Sequence, residues 1–83
     1  MADEVTCEMP RYRCHKEVWA IKIAEVHHNG MIVPADEGYG VFQAPDGYLE
    51  KHDPQPGGYY VLYHDGYASF SPAAAFEAGY TRI

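Results

Sequence analysis

The sequence predicts an α+β domain: a small antiparallel sheet of short hairpins, either open or curled toward a barrel, with one C-terminal helix packed on it. Three observations carry that expectation. Asn29-Gly30 and Asp65-Gly66 each lie between apolar or aromatic runs, the strongest short signature of a hairpin. Gly-Tyr steps recur along the chain, pairing a turn former with a strand former. The run from Ser71 to Gly79 has start and stop signals for a helix.

Eighty-three residues suffice for one core, so residues 11–83 are expected to form a single domain. Residues 1–10 carry three acids, few core formers and a final proline, and read as a flexible lead-in. Lys16 to Val26 alternates in a way that places Trp19, Ile21 and Ile23 on one face of a strand. Helical spacing joins Trp19, Ile23 and Val26 instead, but the β-branched and aromatic residues favour the strand. His27-His28-Asn29-Gly30 then turns the chain, as a type I′ turn, into Met31-Ile32-Val33, which Pro34 ends.

Ala35 to Gly40 reads as a loop, Val41 to Gln43 as a short strand and Ala44 to Gly47 as a turn. Tyr48 to His52 fits one helical turn before the proline and glycine cluster from Asp53 to Gly58. Tyr59 to Tyr63 and Tyr67 to Phe70 are strands joined at His64-Asp65-Gly66. Ser71 is expected to cap the last helix with Pro72 in its first position, and Gly79 to stop it in the left-handed region. Phe76 is expected on the sheet, and Tyr80 to Ile83 as a final short strand.

The net charge is −6, from 12 acids and 6 lysines and arginines. That balance argues against general binding to nucleic-acid backbone and to anionic membranes. The acidic start lacks the features of a signal peptide, so a cytoplasmic chain with Cys7 and Cys14 reduced is expected. Cys14-His15 with His27-His28 lacks the spacing of a zinc site, and no nucleophile motif surrounds either cysteine. No cofactor and no catalytic residue are expected.

Pro56-Gly-Gly-Tyr-Tyr-Val-Leu-Tyr-His-Asp-Gly-Tyr-Ala-Ser-Phe-Ser-Pro-Ala-Ala-Ala-Phe-Glu-Ala-Gly-Tyr80, with the opening Tyr12 to Val18, resembles small uncharacterised phage and prophage proteins. The resemblance spans most of Arg11 to Ile83 and implies expression inside a bacterial host. The expected function is that of a non-enzymatic accessory protein that binds another protein, either a second copy or a host factor. The contact residues expected are Tyr59, Tyr63, Tyr67 and Trp19 as anchors, with Asp36 and Glu37 in an acidic field that steers basic partners. A pocket for a small ligand lined by the same four rings is the second reading. A small enzyme or metal site using Cys14 and the histidines is the third.

Overall fold

The computed structural model describes residues 9–13 and 15–83. Most of the expected lead-in, and both cysteines, lie outside the described residues. The elements in order are β1 (Trp19–Val26), β2 (Met31–Pro34), β3 (Phe42–Gln43), α1 (Tyr48–His52), β4 (Tyr59–Leu62), β5 (Ala68–Ser71) and α2 (Ala73–Gly79). They form a five-stranded antiparallel sheet, ordered β3-β2-β1-β4-β5, that does not close into a barrel. The fold class is α+β as expected, and Lys16 to Val26 contains a strand, not a helix.

β1 serves two hairpins with different parts of its length. Trp19 to Lys22 pair with Leu62 to Tyr59 of β4, whereas Ile23, Glu25 and Val26 pair with Pro34, Val33 and Ile32 of β2. The register slips between Ile23 and Glu25. Such a slip bends a strand and steepens its twist, which lets one strand change partners partway along.

Both hairpin turns are built alike, and neither is type I′. Gly30 N–H donates to the His27 carbonyl (2.9 Å), and His27 N–H to the Met31 carbonyl (2.9 Å). Gly66 N–H donates to Tyr63 and Tyr63 N–H to Tyr67 in the same pattern, both at 2.9 Å. Only the glycine of each turn has positive φ, 94° at Gly30 and 90° at Gly66. This is a three-residue loop closed by a glycine bulge. Asn29 Oδ1 and Asp65 Oδ1 each accept the N–H two residues on, at 3.1 and 3.0 Å, which holds that geometry.

The main core cluster lies on one face of the sheet, while Val61, also buried, faces the other by alternation. Ile23, Ile32, Ala44, Tyr48 and Ala68 are buried together, with Val26, Phe42, Leu49, Tyr60, Leu62 and Phe70 packed around them. Tyr48 comes from α1, so this single helical turn is the lid of the core. Its hydroxyl donates to the Ser69 carbonyl at 2.7 Å, and its ring meets Tyr60 at 5.2 Å. Burial, with Tyr60 and Tyr67 adding to it, raises the Tyr48 phenol pKa well above the ordinary value. A phenol that holds its proton longer when folded stabilises the fold fully below about pH 10, and loses that contribution as pH rises further. The melting temperature is therefore expected to fall above about pH 10, and to fall less steeply in Tyr48→Phe.

The opposite face carries α2. Tyr59 sits there by alternation from Tyr60, and Phe76 stacks on it at 4.2 Å and 22°. Lys22, opposite Tyr59 in register, reaches Glu77 at 3.5 Å. No residue of α2 is buried, so these contacts and the ring stack hold it.

Its ends differ from expectation. Ser71 is the last residue of β5, paired with Tyr59, and Pro72 takes the capping position without a side-chain bond. A residue whose backbone completes a ladder is not free to turn and cap. Gly79 stays within the helix, and Tyr80 ends it in extended conformation (φ −131°) with its N–H on the Phe76 carbonyl. Residues 80–83 form no strand.

Candidate functional site

The four expected rings occupy two places. Tyr63 and Tyr67 face each other across the second hairpin turn, with centroids 6.0 Å apart and planes at 18°. The bulged turn sets this arrangement, because the two residues flank the three-residue loop 64–66 and are joined by the Tyr63 N–H bond. Lys16 lies over the Tyr63 ring at 5.4 Å and Lys51 over the Tyr67 ring at 5.0 Å. His52 of α1 contacts Tyr67 edge-on at 5.9 Å, and its Nε2 is 3.4 Å from the Tyr67 hydroxyl. Trp19 packs instead on His64 of the same turn, at 5.0 Å.

Tyr67 is 43% exposed and Trp19 60%, so these rings present apolar surface to solvent. An open groove of about 500 Å³ runs beside Tyr63 and Tyr67, with Lys16, Glu17 and Tyr80 on its walls. Tyr63 and Tyr67 thus form a pair of rings fixed in advance, with cations held against them and a concave surface alongside. Aromatic side chains ordered before binding contribute contact area at small entropic cost.

Tyr59 is elsewhere. Its ring lies beneath Phe76 and its hydroxyl donates to Glu77 Oε2 at 2.9 Å. That hydrogen bond to a carboxylate, then partial burial and the charges of Glu77 and Asp36, raise its phenol pKa. Tyr59 therefore belongs to the packing of α2, and it is not grouped with Tyr63 and Tyr67. Its three-ring stack continues to Tyr80, 4.5 Å from Phe76 at 12°.

The two acids also divide. Asp36 is half-buried and pairs with Arg82 at 3.4 Å, so part of its charge is neutralised locally. Glu37 is exposed, as are Asp46 and Glu50. Contacts that sequence reasoning did not pick out are Lys16, Lys51 and His52 around the tyrosine pair. Nothing in local spacing pairs Lys16 with Tyr63 or Lys51 with Tyr67. They meet because β4 lies beside β1 and α1 lies against β5.

Three of the five histidines occupy separate places: His27 beside Glu25 at 3.2 Å, His52 on α1, and His64 on the second turn. Among the described residues there is no group of three or more His, Cys, Asp or Glu that could hold a metal ion. No described helix is long and apolar enough to cross a membrane. Compared with known proteins, the chain matches no family model, no curated protein and no solved structure.

Proposed function

We propose that this chain is a non-enzymatic accessory protein of phage or prophage type that acts in the bacterial cytoplasm by binding another protein. The observation that carries the reading is the Tyr63–Tyr67 pair at a hairpin tip, with Tyr67 exposed and Tyr63 half-buried, held in place by Lys16, Lys51 and His52. Interfaces draw most of their energy from a few well-placed aromatic residues, and this pair has the right chemistry and is already ordered. The net charge of −6, with Glu37, Asp46 and Glu50 exposed, favours a partner with a basic surface.

The test is affinity capture from bacterial lysate with the wild-type chain and with Tyr63→Ser/Tyr67→Ser. The double variant keeps the core residues and is expected to retain the fold. It is expected to lose tenfold or more of its affinity for the captured protein, on the order of the effect of removing interface aromatics. Equal capture of the same protein by both chains would end this reading.

A groove for a small molecule is favoured by one observation, the concavity beside Tyr63 and Tyr67. It differs from the expected pocket because neither Tyr59 nor Trp19 is in its wall. Mass measurement of the chain under native conditions after capture distinguishes the two: a retained small molecule supports the groove, a retained polypeptide the tyrosine pair.

A further inference from the structure

The N-terminal half of β1 is a sheet edge in the middle of a sheet. Ile23 N–H donates to the Gly58 carbonyl at 2.8 Å, and Gly57 N–H to the Ile23 carbonyl at 2.7 Å. Backbone groups alternate sides along a strand, so Trp19 and Ile21 also bond toward β4. The groups of Ala20 and Lys22 then point the opposite way. The Lys22 carbonyl does so visibly, accepting the Ala35 N–H at 2.8 Å. β2 begins to pair only at Ile23, so among the described residues no strand stands opposite the Ala20 N–H, the Ala20 carbonyl or the Lys22 N–H.

An open groove of about 1,010 Å³ lies along this edge, with Trp19, Tyr39 and Phe42 among its walls. Trp19 and Tyr39 are 60% and 56% exposed. Unpaired strand edges beside apolar surface are templates for another strand, and natural proteins guard them with charges, prolines or bulges. Here the bulge comes only after Ile23, and Ala20 itself is small and exposed.

We infer that two copies of this chain associate by antiparallel pairing of their β1 edges about a two-fold axis at Ala20. In that register the two Ala20 residues exchange both backbone hydrogen bonds, and Trp19 of each copy lies opposite Ile21 of the other. An aromatic residue across from a β-branched one is a favourable cross-strand pair, and the symmetry makes it twice. The sequence Val18-Trp19-Ala20-Ile21-Lys22 is self-complementary in this sense: its apolar residues on the core face meet only each other.

The self-complementary register favours a second copy, and charge at the groove permits one. The chain as a whole carries −6, which opposes self-association through most of its surface. The groove is an exception. Its side chains comprise Lys16, Lys22 and Arg82 against Glu17, Asp36 and Glu77, which cancel, and two of the cations are already paired. Two copies meeting here bring no net repulsion from the contact itself. This interface is distinct from the Tyr63–Tyr67 pair and stands whether or not that pair binds a partner.

Sedimentation over a concentration series, with backbone amide exchange read at two concentrations, tests the pairing. The expected species is twice the 9.3 kDa of the chain, in equilibrium with monomer. Protection of the Ala20 amide is expected to rise with concentration. Ala20→Pro removes an N–H that has no partner among the described residues, and proline is tolerated at strand edges of this kind. It is expected to weaken dimerisation about 10- to 100-fold, the loss of two backbone hydrogen bonds, without lowering the melting temperature of the monomer. A wild-type chain that stays monomeric throughout overturns the pairing, as does a dimer that survives Ala20→Pro. So does an Ala20 amide protected equally at every dilution, which would mean that the chain covers its own edge, or protected only on adding another protein. If Ala20→Pro fails to fold, amide exchange in the wild-type chain decides.

Discussion

Tyr48→Ala is expected to lower the melting temperature of the chain by about 12–40 °C. Tyr48 is 3% exposed and is the one buried residue of α1. Its ring fills the space between Tyr60 and His52, at 5.2 and 4.9 Å, and its hydroxyl ties α1 to the Ser69 carbonyl of an edge strand. Truncating a buried aromatic residue to alanine costs about 3–5 kcal/mol through lost burial and the cavity left behind. A chain of 83 residues has a total stability of roughly 4–12 kcal/mol at the usual figure per residue. The loss is thus a large part of the whole. Tyr48→Phe isolates the hydroxyl and is expected to cost about 1 kcal/mol, which lowers the melting temperature by about 4–8 °C in a domain of this size. Thermal and urea melts of the two variants check both values. A Tyr48→Ala chain that melts within a few degrees of wild type would show that α1 is not the lid of the core.

Gly58→Ala is expected to be the second most damaging of the substitutions considered. Gly58 is buried where the chain enters β4, and a Cβ there would collide with the Phe70 ring and lie 2.9 Å from the Ser71 carbonyl. The carbonyl belongs to the β4–β5 ladder, where Ser71 pairs with Tyr59, and cannot yield without breaking register. Phe70 packs on the core, so moving its ring disturbs the residues around it. Overpacking of this kind costs about 1–3 kcal/mol. Phe70→Leu gives the new methyl room, and Gly58→Ala/Phe70→Leu is expected to melt higher than the sum of the two single losses. Simple additivity would assign the cost of Gly58→Ala to the backbone instead.

Much of the fold was legible because its turns are written in the sequence. Asn29-Gly30 and Asp65-Gly66 placed both hairpins, since each glycine adopts the positive φ that the turn requires. The loop type was not legible, because a three-residue bulged loop and a two-residue turn can share the same Asx-Gly pair. Alternation placed Ile23 in the core but could not show the slip at Ala24, which depends on β2 and β4 competing for one strand. A Gly-Tyr step, a turn former followed by a strand former, suggests that the tyrosine opens the next element. That holds for Tyr48 and Tyr59, whereas Tyr39 and Tyr67 precede strands and Tyr80 follows a helix. At the candidate site, the grouping of Tyr63 with Tyr67 follows from one hairpin. The separation of Tyr59 follows from α2 crossing the other face, which no local pattern records.

The strand shared by the two hairpins also sets the order in which the chain can assemble. The β1–β2 and β4–β5 hairpins each close over a few residues, and their turns form early at little entropic cost. Joining them means pairing Ile21 with Tyr60 across nearly half the chain, a closure that no local contact assists. The docking of two preformed hairpins along β1 is therefore the slow event. Until it happens Tyr48 has no complete cavity to enter, because Ile23 and Ile32 arrive from one hairpin and Tyr60 and Ala68 from the other.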